Sequence, residues 1–370
     1  MKIVVIGPTL PYKGGISHYN TLLCKNLSKK HQVELISWKR RYPKFIYPVD
    51  QLDKESKKKI SSDARFMLDC LNPFTWLKVF SIIKKKKPHL LIFHWVSPFL
   101  SPVFTAISFL TKYFTKTKIL LICHNVLPHE KRFADKFLAK MLFRNIDHFL
   151  VHSKKDRGDL IFIKKNANVK LGFMPLFDFF EKKNMSKSKL RKKLGLKNKV
   201  ILFFGIVREY KGLIYLIKAL PKVLKSVNLD LLIVGEFWEG KNKYLKEIKD
   251  LKLQNNVKII AKYVPDKEVS DYFSVSDVLV LPYIDATQSA ILQTAFAFNK
   301  PVITTNVGGL KEVVDDGKTG FVVPPGNSSL LSESIIKFYK GNKSKSFSLN
   351  VAKEKKKFSW KSLIKIIESF

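Results

Sequence analysis

Two cations three residues apart stand out: Arg208 and Lys211, in Phe204-Gly205-Ile206-Val207-Arg208-Glu209-Tyr210-Lys211-Gly212-Leu213. The stretch follows the apolar run KVILFF and precedes a helical pattern, so it reads as strand, turn and helix start. A helix N-terminus already favours anions. A guanidinium fork with an ammonium beside it suits a diphosphate, although a solvated basic turn would look the same. A second candidate is the turn Asp285-Ala286-Thr287-Gln288-Ser289, between a strand ending at Pro282 and a helix. Its hydroxyls and backbone amides make another anion cradle. A third is the loop GPTLPYKGGI after the first strand, where Gly14 and Gly15 let the backbone approach a ligand. It is neither a GxGxxG fingerprint nor a P-loop, and turn geometry alone explains a glycine pair equally well. His124, in Ile122-Cys123-His124-Asn125, stands at a strand end.

Positioning these groups requires strands that end at one edge. The apolar runs KIVVIG, VELIS, LLIFHW, KILLICH and HFLVHS alternate with segments of helical spacing such as SHYNTLLCKNLSKK and FADKFLAKMLF. The segment KFIYPVDQLDKESKKKISSDARF breaks the rhythm and reads as loop and short helix. A charged stretch, EKKNMSKSKLRKK, separates this series from a second: KVILFFG, LDLLIVG, VKIIAKYV, DVLVLPY, KPVITTN and GFVVPPG. Continuous apolar strands separated by helices mean parallel sheets covered on both faces. The expected fold class is α/β, with two doubly wound Rossmann-like domains facing across a cleft. The expected boundaries are 1–180 for the first domain, 181–198 for a linker, 199–356 for the second domain and 357–370 for a closing helix. Ligands of such sheets bind outside the carboxyl ends of the strands.

Composition narrows the class. The 370 residues are 46% hydrophobic with 16 Gly and 16 Pro, which excludes collagen-like and disordered chains. The three cysteines, Cys24, Cys70 and Cys123, lack metal or disulfide spacing and suit a reducing cytoplasm. MKIVVIGPTL reads as a strand and turn and not as a signal peptide. Residues 88–111 carry no formal charge, but prolines interrupt them, and a buried strand, a loop and a buried helix are expected there instead of a membrane span.

The formal net charge is +38, and residues 1–193 hold 40 basic against 13 acidic side chains. Codon bias toward Lys, Ile, Phe and Asn explains part of the excess. The asymmetry between the halves points to a phosphate-rich partner for the first one, such as an anionic membrane surface. Basic runs at Lys57–Lys59 and Lys84–Lys87, with Phe74 and Trp76 nearby, are candidate contacts.

The order FGxxRxYKG, IVG, DVLVLPY and KPVITTNVGGLKEVVDDGKTGFVVPPGN resembles the retaining GT-B-fold glycosyltransferases of family 4, the group 1 transferases. The likeness is dense over residues 200–327. GGISHYN resembles the family's glycine loop, and FSWKSL its closing helix. The resemblance implies transfer of a sugar from a nucleotide-diphosphate donor to an acceptor hydroxyl with retention. It gives Arg208 and Lys211 the diphosphate, Gly14 and Gly15 the loop that closes on the donor, and Tyr263 and Val264 the nucleobase pocket. His124 falls beside the donor sugar, and Thr287, Gln288 and Ser289 bind phosphate. The family's paired glutamates fall on Ala286 and Thr294, neither a carboxylate. Thr294, or its neighbour Gln293, is left to meet the ribose by neutral hydrogen bonds. A branch of the family with an ATQS-type turn shares this variation.

No metal or other cofactor is expected, since no DxD pair is present. The expected partners are a nucleotide sugar such as a UDP- or GDP-sugar, a glycan or lipid-linked acceptor and an anionic membrane surface. The expected setting is cytoplasmic, peripheral to the inner face of the membrane, in synthesis of bacterial surface polysaccharide or glycolipid. Two other classes compete. A non-catalytic GT-B subunit would bind and stabilise a partner transferase. Nucleic-acid binding rests on charge alone, with no recognised module.

Overall fold

Runs of Val, Ile, Leu and Phe with no polar alternation lie flat only where both faces of a sheet are covered, and the chain builds two such sheets. The computed structural model describes residues 1–44, 46–47, 50–53, 63–127, 134–180, 186–238 and 240–370. Lys57–Lys59 and the first five residues of the expected linker lie outside the described residues. Two compact units result, one of Met1–Pro175 with Trp360–Phe370 and one of Leu176–Ser359.

The first unit holds strands β1 (Lys2–Ile6), β2 (Gln32–Arg40), β3 (Arg65–Asp69), β4 (Leu90–Trp95), β5 (Lys118–Cys123), β6 (His148–Val151) and β7 (Val169–Leu171). They form one parallel sheet in the order β3-β2-β1-β4-β5-β6-β7. Its helices are α1 (Gly15–Leu27), α2 (Pro73–Lys86), α3 (Ser101–Phe114), α4 (Asp135–Phe143) and α5 (Lys154–Ile163).

The second unit holds β8 (Lys199–Phe204), β9 (Leu229–Val234), β10 (Val257–Ile260), β11 (Val278–Leu281), β12 (Val302–Thr305) and β13 (Gly320–Val323), in the parallel order β10-β9-β8-β11-β12-β13. Its helices are α6 (Lys187–Lys193), α7 (Leu213–Leu224), α8 (Lys241–Asp250), α9 (Asp266–Val275), α10 (Ala290–Ala297), α11 (Leu310–Val313), α12 (Ser328–Lys340) and α13 (Lys343–Glu354). The last helix, α14 (Trp360–Glu368), belongs to the first unit and packs against α1. It buries Trp360, Leu363, Ile364 and Ile367, each side chain contributing about 1.5–3 kcal/mol by removal from water.

Three expectations need correction. The polar excursion before Phe66 ends in a strand, β3, and a second strand, β7, was not expected at all. Both are edge strands, half-exposed, so neither carries a continuous apolar run; β3 also pairs with β2 through register shifts. The expected linker is partly helical: α6 packs on α9 and puts Leu190 into the core. Finally, β4 is buried as expected, but α3 is apolar on both faces. Val103, Phe104 and Ile107 face the sheet, while Phe109, Tyr113 and Phe114 are exposed. Among the described residues no helix is long and apolar enough to cross a membrane.

Candidate functional site

In each sheet the chain leaves a central strand in two opposite directions. In the second unit that strand is β8, with β9 on one side and β11 on the other. The loops after β8 and β11 therefore diverge at the carboxyl edge, where doubly wound folds leave a crevice.

The loop after β8 carries Arg208 and Lys211. They do not sit on the first turn of α7: Glu209–Lys211 form a separate 3-10 turn, and α7 begins two residues after Lys211. Gly212 joins the two with φ 63°. A Cβ there would lie 2.0 Å from the Pro282 carbonyl oxygen, so the glycine lets the β8 and β11 loops touch. Ile284 N–H then donates to Tyr210 O at 2.8 Å, and the Tyr210 and Tyr283 rings meet edge-on at 6.1 Å.

This junction buries Lys211, whose ammonium lies 5.8 Å from the centre of the Tyr283 ring. Burial, with Arg208 adding repulsion, lowers its pKa to about 8. No carboxylate among the described residues pairs with Lys211; the neighbouring Glu209 turns outward to Lys243 at 3.0 Å. Arg208 is half-buried, with its guanidinium 5.1 Å from the Trp238 ring and 5.9 Å from the Tyr210 ring. A compact ammonium and a planar guanidinium are thus held on one loop, in surroundings that strengthen attraction for an anion.

The β11 loop supplies amides. Ser289 caps α10, its Oγ accepting from Leu292 N–H at 3.3 Å. Thr287 O accepts from Gly309 N–H at 2.8 Å, and the Gln288 amide lies across the Gly309 backbone, so the turn is braced by the Gly308-Gly309 pair. Thr294 is buried on α10 and its hydroxyl donates to Ala290 O at 2.9 Å. Gln293, one position earlier, is fully buried with neither amide atom hydrogen-bonded. The polar group without a protein partner on this helix is therefore Gln293, the second choice of the sequence reasoning. Tyr263 is half-buried beyond β10, while the Val264 side chain packs in the core, which leaves its backbone for any ligand.

In the first unit Gly14 caps α1 with φ 102°, and Gly15 opens the helix. His124 follows β5 and is buried. It belongs to a cluster that sequence reasoning missed. His94 near the end of β4, His124 after β5 and His152 after β6 lie side by side, and Tyr19 of α1 meets all three rings at 4.8–5.7 Å. Trp360 of α14 closes over Tyr19 at 5.3 Å. His94 Nδ1 and His124 Nε2 share a hydrogen bond of 3.0 Å, and His152 Nδ1 meets Gly172 O at 2.6 Å. Burial, reinforced by mutual repulsion, holds His94 down at about 3 and His124 well below the usual imidazole range; burial likewise lowers His152 to about 4. All three are neutral near pH 7. The signal was available: FHW, ICH and VHS each place one histidine at the end of a successive strand.

Residues 186–357 match the family model of the glycosyl transferases group 1. The capsular polysaccharide biosynthesis glycosyltransferase CapM of Staphylococcus aureus is 27% identical over 70% of this chain and 72% of its own length. N-acetyl-alpha-D-glucosaminyl L-malate synthase of Bacillus anthracis is 24% identical over 53% of this chain and 49% of its own. The chain spans about half or less of several such curated relatives. The solved structure of Anabaena HepE in complex with UDP superposes with a TM-score of 0.76 at 18% identity, covering 100% of both chains. The chain has the GT-B fold, and residues 186–357, which carry the whole of its second sheet, match the glycosyl transferases group 1.

Proposed function

We propose that the protein transfers a sugar from a nucleotide-diphosphate donor to an acceptor hydroxyl with retention of anomeric configuration, in synthesis of bacterial surface polysaccharide or glycolipid. The observation that carries the reading is the buried Lys211 ammonium beside Arg208 at the switch point of a group 1 transferase sheet. The capsular role named for the Staphylococcus relative and the UDP in the HepE structure favour the same chemistry.

Arg208, Lys211 and the amides at the start of α10 hold the diphosphate. As the bond from the anomeric carbon to the phosphate oxygen breaks, the electron pair stays on that oxygen, and these fixed charges stabilise it. The acceptor oxygen then bonds to the anomeric carbon from the same face, and its proton passes to the departing phosphate. With two cations and a helix start already opposing the phosphate charge, the proposal calls for no metal. Tyr263 and Val264 meet the base, and Gln293 or Thr294 the ribose. In the first unit Gly14, Gly15 and His124 meet the donor sugar. A lipid-linked or envelope acceptor implies a cytoplasmic site of action, peripheral to the membrane.

The test is hydrolysis and binding of UDP- and GDP-sugars by the purified chain, with Arg208→Ala as control. Turnover that Arg208→Ala abolishes supports the reading. Nucleotide binding without turnover, with any acceptor, would leave the non-catalytic subunit, to which the alanine at position 286 already points.

A further inference from the structure

Helices α2, α3, α4 and α5 form one layer. α2 packs on α3 and α3 on α4, and Lys136 of α4 lies 4.5 Å over the Phe162 ring of α5. Each helix has spent an apolar face on the sheet, with Val79, Ile83, Phe104, Ile107, Leu142 and Leu160 all buried. Yet six aromatic side chains point the other way: Phe74, Phe109, Tyr113, Phe114, Phe137 and Phe162, between 48% and 80% exposed. Nine of the nineteen large apolar side chains exposed among the described residues sit on these four helices. A helix that is apolar on both faces, as α3 is, needs a second apolar neighbour. Exposed aromatic patches of this kind mark contact surfaces.

Charge selects the neighbour. Residues 73–87, 101–116, 135–144 and 154–164 carry fourteen Lys or Arg against three Asp, and Asp135 and Asp156 are buried. Lys84 and Lys85 are exposed at the end of α2. Aromatic rings surrounded by long cationic side chains match the boundary of a bilayer, where the rings enter the acyl region and the ammonium groups reach the headgroups. Each close cation adds attraction to an anionic leaflet.

We propose that the outer face of α2, α3, α4 and α5 docks on an anionic phospholipid bilayer. This deepens the membrane-side role proposed above, and rests on that reading only for the reason the membrane is visited. The experiment is flotation of the full chain with vesicles of phosphatidylcholine alone or with about 30% phosphatidylglycerol, at about 50 mM and about 500 mM salt. The chain is expected to float only with the anionic vesicles, and less at high salt. Phe74→Ser/Phe109→Ser/Phe137→Ser/Phe162→Ser is expected to lower the partition coefficient about tenfold or more, and Lys84→Glu/Lys85→Glu by a similar factor. Leu245→Ser/Leu349→Ser, exposed in the second unit, is expected to leave it unchanged. Because the three native cysteines are buried, Phe74→Cys accepts a polarity-sensitive dye selectively; its emission should shift to the blue on anionic vesicles even if the fourfold variant fails to fold. Absence of flotation, wild-type flotation by a folded fourfold variant, or an unshifted dye overturns the proposal. So does an oligomer that the folded aromatic variant dissolves without changing flotation, since the face would then be a subunit interface. UDP binding, measured separately, decides the transferase reading whatever the vesicles show.

Discussion

Lys211 should cost the ligand-free protein stability and return it as affinity. Its pKa is lowered to about 8 from an ordinary 10.5, burial being the larger cause. Near pH 7 both the folded and unfolded forms are protonated, so the whole difference acts against folding, about 3 kcal/mol at about 1.4 kcal/mol per pH unit. Between about pH 8 and 10.5 the unfolded chain still binds the proton and the folded chain does not. Stability therefore rises with pH over that window, and the cost is gone above it. Lys211→Met keeps the bulk and removes the charge. It is expected to raise stability in urea by up to about 3 kcal/mol near pH 7, with the gain shrinking toward zero by about pH 10.5.

Donor binding should move the other way. A sugar nucleotide's diphosphate stays ionised throughout, so affinity should be flat below about pH 8 and fall above it as Lys211 loses its proton. The methionine variant should bind UDP-sugar more weakly by about 2 kcal/mol, near thirtyfold, with that pH step abolished. Calorimetric titration alongside urea melts at several pH values reads both arms. A methionine variant no more stable than wild type near pH 7, with unchanged nucleotide affinity, would refute the assignment of Lys211 as a buried phosphate-binding cation.

Arg208→Ala should weaken UDP or GDP binding at least tenfold while the thermal melt keeps its cooperativity, checked by calorimetry. His124→Ala should lower turnover much more than nucleotide affinity; unchanged turnover would make the histidine structural. His94 is held at about 3, so the unfolded chain takes up protons first as pH falls below about 6.5, and stability drops by about 2 kcal/mol near pH 5. His94→Gln should remove that part of the acid dependence. The comparison carries the test, because Asp156, raised to about 6 by its burial, titrates in the opposite sense over the same window.

Central strands were legible because burial on both faces leaves a continuous apolar signature, as in KILLIC and LDLLIV. Edge strands leave no such mark: β7 is three half-buried residues, and β3 follows a run of charge. The loop of Arg208 and Lys211 was legible because a strand-to-helix turn is local. What local pattern did not carry was which groups would be buried by the approach of a distant loop. Lys211 is buried where the loop of Pro282 and Tyr283, about seventy residues on, meets its own, the Tyr283 ring facing the ammonium and Pro282 meeting Gly212, and only Gly212 hints at that approach.

The paired-glutamate positions sharpen the same point. Counting along the chain puts the second one at Thr294, but the hydroxyl there donates to its own helix, as buried threonines in helices commonly do. The neighbouring Gln293 instead brings a fully buried amide with no protein partner, a costly arrangement in a native core. In the proposed donor site, an alanine and a threonine where carboxylates would stand leave less negative charge opposing a bound diphosphate. Lys211 lies beside the same helix, since a Cβ at Gly205 would stand 3.4 Å from both its ammonium and Ile291 of α10, and no carboxylate among the described residues pairs with it. On that proposal, the missing carboxylates and the unneutralised Lys211 ammonium both raise the positive field on the donor's phosphates. Restoring a carboxylate, as in Thr294→Glu, should therefore raise the Lys211 pKa and weaken UDP-sugar binding, a paired outcome that titration of the variant against pH can read. If affinity rises instead, the site wants the carboxylate for the ribose, and the field argument fails.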